Sequence, residues 1–194
     1  MQDIELEQAV EILLAHASPV TETEDVPLLD AVGRVAAEDI KAGFDNPPFD
    51  RSPLDGYTFA AASTRMATAE SPVTLRVVAE ECAGDFFAGT VGAGECVRIM
   101  TGGAIPKGCD CVVRQEDVRE DGDAIRVPFT SKPYENYCYA GEDIKKGTVI
   151  LRQGQIIRAA QIAVLASEGH ATVHVHRRVC VAVASTGDEL LQPG

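Results

Sequence analysis

Val73-Thr74-Leu75-Arg76-Val77 alternates apolar and polar residues, and this stretch decides the fold. Two similar runs follow it, Cys96-Val97-Arg98-Ile99 and Ala124-Ile125-Arg126-Val127. Such alternation places one face of a strand in the core and the other in solvent. Gly and Pro recur between the runs, and Asp121-Gly122 is typical of a hairpin turn. The pattern predicts an antiparallel β domain over residues 45–140.

The flanking segments have helical rather than strand periodicity. Leu6, Val10, Leu13 and Leu14 recur at helical spacing and predict an amphipathic helix near 4–17, with Asp3 as its N-cap. A second helix is predicted over 158–168, with Gly169 at its C-terminal cap.

Short strands complete these flanking segments. Residues 26–35 predict a brief strand, a turn of helix and a second strand, and the alternation of Thr172 to His176 predicts another. We therefore expect residues 1–44 and 141–178 to form one elongated, discontinuous helix-plus-strand domain I. The β domain of 45–140, domain II, is inserted into it.

The last segment has a different pattern. Val179-Cys180-Val181-Ala182-Val183-Ala184 is apolar without alternation, which is typical of a parallel strand covered on both faces. A polar turn with the start of a helix follows, Ser185-Thr186-Gly187-Asp188-Glu189-Leu190. These residues predict that 179–194 begin an α/β domain III whose remainder is missing, so the chain is interpreted as a fragment. The expected fold class is mainly β with α (α+β).

Composition narrows the possible partners. Asp and Glu number 30 against 17 Lys and Arg, which gives a net charge of −13. An acidic chain repels phosphate backbones and anionic membrane surfaces, so we expect neither nucleic acid nor membrane as a partner. No signal peptide or spanning apolar run is present in the sequence, and its six Cys indicate reduced thiols in a cytoplasmic protein.

Three loops carry candidate functional residues, each with a simpler structural alternative. Asp55 precedes Gly56 after a stiff Pro-rich approach and is either a functional carboxylate or only a turn former. Thr101 lies in a Gly-rich loop after a strand, which suits an oxyanion but also a plain turn. Asp143 lies between glycines at 141 and 147, where its carboxylate suits Mg²⁺ or merely a solvated turn.

His174-x-His176 places two imidazoles on one face of a strand. Because no third ligand is near in sequence, an outward polar face is favoured over a zinc site.

Taken in order, these segments resemble one family, the molybdopterin molybdenumtransferases, which include bacterial MoeA and the C-terminal part of gephyrin. The resemblance is carried by five blocks of sequence: 31–40, 47–57, 98–113, 141–144 and 185–190. Pro47-Pro48-Phe49-Asp50-Arg51-Ser52-Pro53-Leu54-Asp55-Gly56-Tyr57 is the most specific of them.

Two departures from the family pattern stand out. Arg51 occupies a position where the family usually has Asn. Asn136-Tyr137-Cys138-Tyr139 lacks the basic residues often found just before Gly-Glu-Asp.

The resemblance implies an enzyme of molybdenum cofactor biosynthesis, a homodimeric transferase. It would insert molybdenum from molybdate into adenylated molybdopterin with Mg²⁺-dependent release of AMP, and a pterin-adenylating protein would be a further partner. The positions that match the family imply catalytic roles for Asp55, Thr101 and Asp143, substrate binding by Ser52, Gly102, Asp188 and Glu189, and metal binding by Asp143 and Glu189.

A different class of function fits the same segments. In this second interpretation the chain is a dimerisation and docking module without chemistry of its own, because gephyrin-like relatives use the same architecture as a scaffold that binds receptor peptides. Under either interpretation we expect the 194 residues alone to be inactive, because the pterin pocket implied by the resemblance is absent.

Overall fold

A computed structural model describes residues 4–82, 84–183, 185, 187, 189 and 191. The elements in chain order are α1 Leu6–His16, β1 Thr23–Pro27, β2 Ile40–Lys41, β3 Gly56–Phe59, β4 Val73–Glu81, β5 Glu95–Ile99, β6 Cys111–Arg114, β7 Arg119–Asp121, β8 Ala124–Val127, β9 Val149–Leu151, α2 Ala159–Ser167 and β10 Thr172–His176. Short 3₁₀ helices lie at Leu28–Ala31, Ala61–Thr64 and Gln115–Asp117.

Two compact units make up the chain. Residues 1–41 and 149–194 form the first unit, and residues 42–148 form the second. The second unit therefore includes 141–148, whereas the sequence pattern predicts these residues in domain I. Backbone hydrogen bonds from Ile144 N–H to Asn46 O and from Gly147 N–H to Ala42 O hold them to the second unit.

A six-stranded sheet in the order β6-β3-β5-β4-β8-β7 forms the second unit. The predicted alternation of β4 is confirmed, because Leu75 is fully buried between the exposed Thr74 and Arg76. Leu75 packs with Phe59 and Ile125 in the core of this unit. Burying each such side chain contributes about 1.5–3 kcal/mol.

One strand pairing in this sheet differs from the prediction. β4 pairs with β8 antiparallel, as predicted, but it pairs with β5 in parallel. A parallel pair needs a crossover of a dozen or more residues, and residues 82–94 provide that length between the two strands. Period-two alternation fixes the faces of a strand but not the direction of its neighbour.

The first unit combines two short sheets with helices. β1 pairs with β10 and β2 pairs with β9, both antiparallel. Its core contains Val26, Leu151, Ile157, Leu165 and Val175. Helix α2 contributes Leu165 to this core and ends before Gly169, as predicted.

Helix α1 lies within the predicted range, yet it buries no residue. Leu6, Leu13 and Leu14 are 73%, 70% and 68% exposed. Its observed N-cap is Glu5, which makes no side-chain capping hydrogen bond. Asp3, the predicted cap, lies outside the described residues.

Two strand predictions for this unit require correction. The second strand predicted within 26–35 is reduced to isolated bridges of Val35 with Ile156 and of Ala36 with Val175. The interior strand predicted over 179–184 is not formed by residues 179–183, which belong to no strand and are exposed, Val183 by 90%. An apolar run becomes an interior strand only where neighbours pair with it and cover it, and no described element does so here.

The overall class agrees with the sequence: the protein is mainly β with a few helices, an α+β fold. Among the described residues, no helix has the length and apolar character needed to cross a membrane.

Candidate functional site

Three segments meet in the second unit: the Pro-rich segment (46–55), the Gly-rich loop (100–108) and the acidic loop (141–147). The Pro-rich segment lies between the other two and bonds to both through its backbone. Ser52 N–H donates to Gly103 O at 2.9 Å, and Gly102 N–H donates to Ser52 O at 2.8 Å. On the other side, Ile144 N–H donates to Asn46 O at 3.0 Å. These backbone hydrogen bonds hold the Gly-rich loop and the acidic loop, which are far apart in sequence, against the Pro-rich segment.

Asp55 and Thr101 are in direct contact. Asp55 Oδ1 accepts hydrogen bonds from the backbone N–H of Thr101 at 2.7 Å and from its hydroxyl at 2.8 Å. These two bonds, together with the positive charge of Arg98, hold the pKa of Asp55 below its usual value. Both residues are exposed, so the pair presents an ionised carboxylate and a hydroxyl at the surface.

Ser52 and Gly102 lie beside this pair but differ in accessibility. Ser52 is 1% exposed, and its hydroxyl donates to Leu54 O at 2.6 Å within the Pro-rich segment. Gly102 adopts a φ of 85°, a conformation that favours glycine and lets the loop turn beside Thr101. The predicted roles of both residues in substrate binding stay predictions.

Asp143 is exposed on the acidic loop and forms an ion pair with Arg51, 3.6 Å from Arg51 Nη2 to Asp143 Oδ2. The backbone of Arg51 pairs with that of Cys138: Arg51 N–H donates to Cys138 O at 2.9 Å, and Cys138 N–H donates to Arg51 O at 3.1 Å. Sequence reasoning noted Arg51 only as a departure from a family pattern. Its contact with Asp143 spans 92 positions of the chain, and no local pattern indicates such a pairing.

Sequence reasoning also missed Asp50, which connects the Pro-rich segment to residues 137–140. Its Oδ2 accepts the hydroxyl of Tyr137 at 2.6 Å, and its Oδ1 accepts the N–H of Ala140 at 2.8 Å. The sequence signal for Asp50 was its position inside the block 47–57.

Glu81 is a buried carboxyl group beside the start of the Gly-rich loop. It is 2% exposed, its Oε2 accepts Phe87 N–H at 3.3 Å, and its carbonyl accepts Met100 N–H at 3.2 Å. Burial raises the pKa of Glu81, although backbone hydrogen bonds from Phe87 and Ala104 oppose the shift.

Two predicted site residues lie near the end of the chain. Glu189 is exposed in the first unit, and Asp188 lies outside the described residues. Within the described part of the chain, no three His, Cys, Asp or Glu side chains are grouped as a metal site would require. Mg²⁺ binding by Asp143 and Glu189 remains a prediction.

The fold and the site define a class: an α+β protein with an inserted six-stranded unit. This unit presents an ionised carboxylate paired with a hydroxyl, and it also carries an exposed carboxylate–guanidinium ion pair. Residues 4–169 match the family described as the MoeA N-terminal region (domain I and II). The chain belongs to this family, and the resemblance inferred from its motifs is confirmed.

Known relatives agree with this assignment. The chain is 39% identical over 191 residues to the molybdopterin molybdenumtransferase of Haemophilus influenzae, covering 97% of the chain and 46% of that protein. It is 41% identical over 168 residues to the enzyme of the same name from Staphylococcus aureus, covering 86% and 40%. The chain thus spans less than half the length of these relatives.

Solved structures give the same result. A crystal structure of the molybdopterin biosynthesis moeA protein of Pyrococcus horikoshii is 42% identical with a TM-score of 0.80, covering 87% of this chain and 45% of that one. A second moeA structure from that organism is 34% identical with a TM-score of 0.79, covering 91% and 45%.

Proposed function

We propose that this chain forms part of a molybdopterin molybdenumtransferase, which inserts molybdenum from molybdate into adenylated molybdopterin and releases AMP. The observation that carries the proposal is the Asp55–Thr101 pair, presented at the surface of a unit that belongs to the MoeA N-terminal family. The relatives that bear the name molybdopterin molybdenumtransferase support the reaction.

The chemistry of the pair suits a positioning role. The proton of the Thr101 hydroxyl is committed to Asp55 Oδ1, so this hydroxyl can only accept further hydrogen bonds. The ionised Asp55 is likewise an acceptor. Together they would orient groups that donate, such as a water molecule, a ribose hydroxyl or a pterin N–H, and would disfavour direct contact with a phosphate.

A divalent cation would balance the anionic substrate. Mg²⁺ commonly takes one or two protein carboxylates and completes its shell with waters and substrate phosphates. The exposed Asp143 fits such a ligand, and Arg51 beside it adds positive charge for a phosphate. Bound there, Mg²⁺ would supply Lewis-acid stabilisation of the phosphoanhydride oxygens.

We propose a homodimer in the cytoplasm as the working form. The apolar side of α1, formed by Leu6, Val10, Leu13 and Leu14, is exposed along its length and suits burial against a second copy. Six free thiols support a reducing compartment. A pterin-adenylating protein would supply the substrate.

The test replaces Asp55 by Asn in the full-length protein and measures formation of molybdenum cofactor. Asn preserves the shape but removes the charge, and we expect a loss of about 10²–10³-fold, typical for a preorganised group in an active site. Thr101→Val should cause a comparable loss, whereas Thr101→Ser, which keeps the hydroxyl, should retain most activity.

Asp121→Asn is the matched control, because Asp121 is exposed in the same unit and contacts Arg126 at 2.6 Å. This variant should keep full activity, and light scattering should find every variant unchanged in oligomeric state. Wild-type activity in Asp55→Asn would contradict the enzyme proposal and favour a scaffold. The 194 residues alone should be inactive in the same assay.

A further inference from the structure

Three tyrosines form an exposed aromatic cluster in the second unit. The ring centroids of Tyr134 and Tyr137 lie 5.3 Å apart, those of Tyr137 and Tyr139 5.0 Å, and those of Tyr134 and Tyr139 5.7 Å. Tyr134 is 57% exposed and Tyr139 is 47% exposed. The tyrosine cluster therefore presents much of its aromatic surface to solvent.

The backbone at Tyr134 adopts a conformation that is unfavourable for a tyrosine, whereas Asn136 tolerates the same region. Tyr134 has a φ of 62° and Asn136 a φ of 49°, in the left-handed region. Tyr134 N–H donates to Asp110 O at 2.6 Å, and Asn136 Nδ2 donates to Val112 O at 3.0 Å. These contacts with the core of the unit maintain the strained turn, and strain of this kind concentrates at ligand sites.

Within the tyrosine cluster, Tyr137 is held in place by a side-chain hydrogen bond. Its hydroxyl donates to Asp50 Oδ2 at 2.6 Å, and its ring is half-buried. Burial, with a smaller effect of this hydrogen bond, raises the pKa of Tyr137, so the hydroxyl remains a donor. The hydrogen bond fixes Tyr137 and leaves Tyr134 and Tyr139 as the more exposed rings.

The backbone of Arg51 pairs with the segment that carries the tyrosine cluster. Arg51 is paired through its backbone with Cys138, between Tyr137 and Tyr139 in sequence, and its guanidinium forms the ion pair with Asp143. A planar ring that stacks here and carries a phosphate would have a guanidinium close by. A polynucleotide is disfavoured as the ligand, because the chain carries a net charge of −13.

We propose that the tyrosine cluster binds a planar heteroaromatic ring, a purine or a pterin, by stacking on Tyr134 and Tyr139. Aromatic side chains stack on such rings with little dependence on substituents. The assignment of this ring to the substrate rests on the proposed function, whereas the stacking itself does not.

The test measures binding of AMP and, in a second arm, of unsubstituted pterin to the 194-residue chain by saturation-transfer NMR and calorimetry. We expect transfer to the aromatic protons of at least one probe. Tyr139→Ala, and Tyr134→Gly, which suits the positive φ, should each raise the dissociation constant about fivefold or more. Tyr139→Phe should stay within about twofold of the wild type, because the ring is kept.

Phe86→Ala is the matched control, since Phe86 is 63% exposed and contacts Phe49 outside the tyrosine cluster. It should leave binding unchanged. Failure of both probes to bind, or unchanged affinity in both Tyr139→Ala and Tyr134→Gly, would overturn the inference. Because these measurements do not use turnover, they are independent of the activity of Asp55→Asn, so the two proposals can fail separately.

Discussion

Among the described glycines, Gly56 is the one at which an added methyl group would come closest to a backbone atom. It lies at the start of β3, opposite Ile99 of β5 and Arg114 of β6. A Cβ at this position would lie 1.9 Å from the carbonyl oxygen of Val113, 2.9 Å from its carbonyl carbon and 3.2 Å from Arg114 Cα. All three are backbone atoms of β6, so no side-chain rotation relieves the clash.

The expected cost of Gly56→Ala follows from this geometry. Overpacking a buried site typically costs about 1–3 kcal/mol. Strand β6 must also move away, which weakens neighbouring β3–β6 hydrogen bonds worth about 1 kcal/mol each. We therefore expect a loss of about 3–5 kcal/mol in the free energy of unfolding, a large part of the stability of a typical domain. For a chain of this size it corresponds to a fall in Tm of about 6–20 °C.

Urea unfolding followed by circular dichroism, together with amide hydrogen exchange on β3 and β6, measures this loss. Gly43→Ala is the matched control, because an added Cβ there meets no atom within 4 Å. Its free energy of unfolding should stay within about 0.5 kcal/mol of the wild type. A Gly56→Ala protein as stable as Gly43→Ala would refute the argument from close backbone approach.

Two further predictions concern buried titratable groups. Burial raises the pKa of Glu81 above its ordinary 4.5, so the folded protein favours the protonated carboxyl group. The free energy of unfolding of the wild type should therefore fall as the pH rises through the folded-state pKa of Glu81. Glu81→Gln stays neutral, so urea unfolding should find its stability rising relative to wild type between pH 4 and pH 7; a constant difference would contradict this. Burial also raises the pKa of Cys96 and of Cys111 to about 12, whereas Cys82 and Cys180 are exposed. An aromatic disulfide reagent should label the exposed pair rapidly in the native protein, and labelling of Cys96 or Cys111 before unfolding would count against their burial.

The candidate site was only partly accessible from the sequence. Motif matches pointed to Asp55 and Thr101, and these two residues are in contact. No pattern predicted that Arg51 pairs with Asp143 or that Tyr137 donates to Asp50. These contacts join segments about 90 positions apart, and such pairings depend on how the sheet brings its loops together rather than on neighbouring residues.

The sequence by itself determined the faces of the strands and the positions of the helices. Alternation in β4 and helical spacing in α1 and α2 are local properties, set by the geometry of two to four consecutive residues. Tertiary structure alone decided that β4 runs parallel to β5, that residues 179–183 form no strand, and that Tyr134 and Tyr139 expose their rings. The direction of strand pairing, the formation of a strand and the exposure of a side chain all depend on which distant parts of the chain pack against a segment. Local periodicity carries no information about those neighbours, and this is the physical reason for the difference.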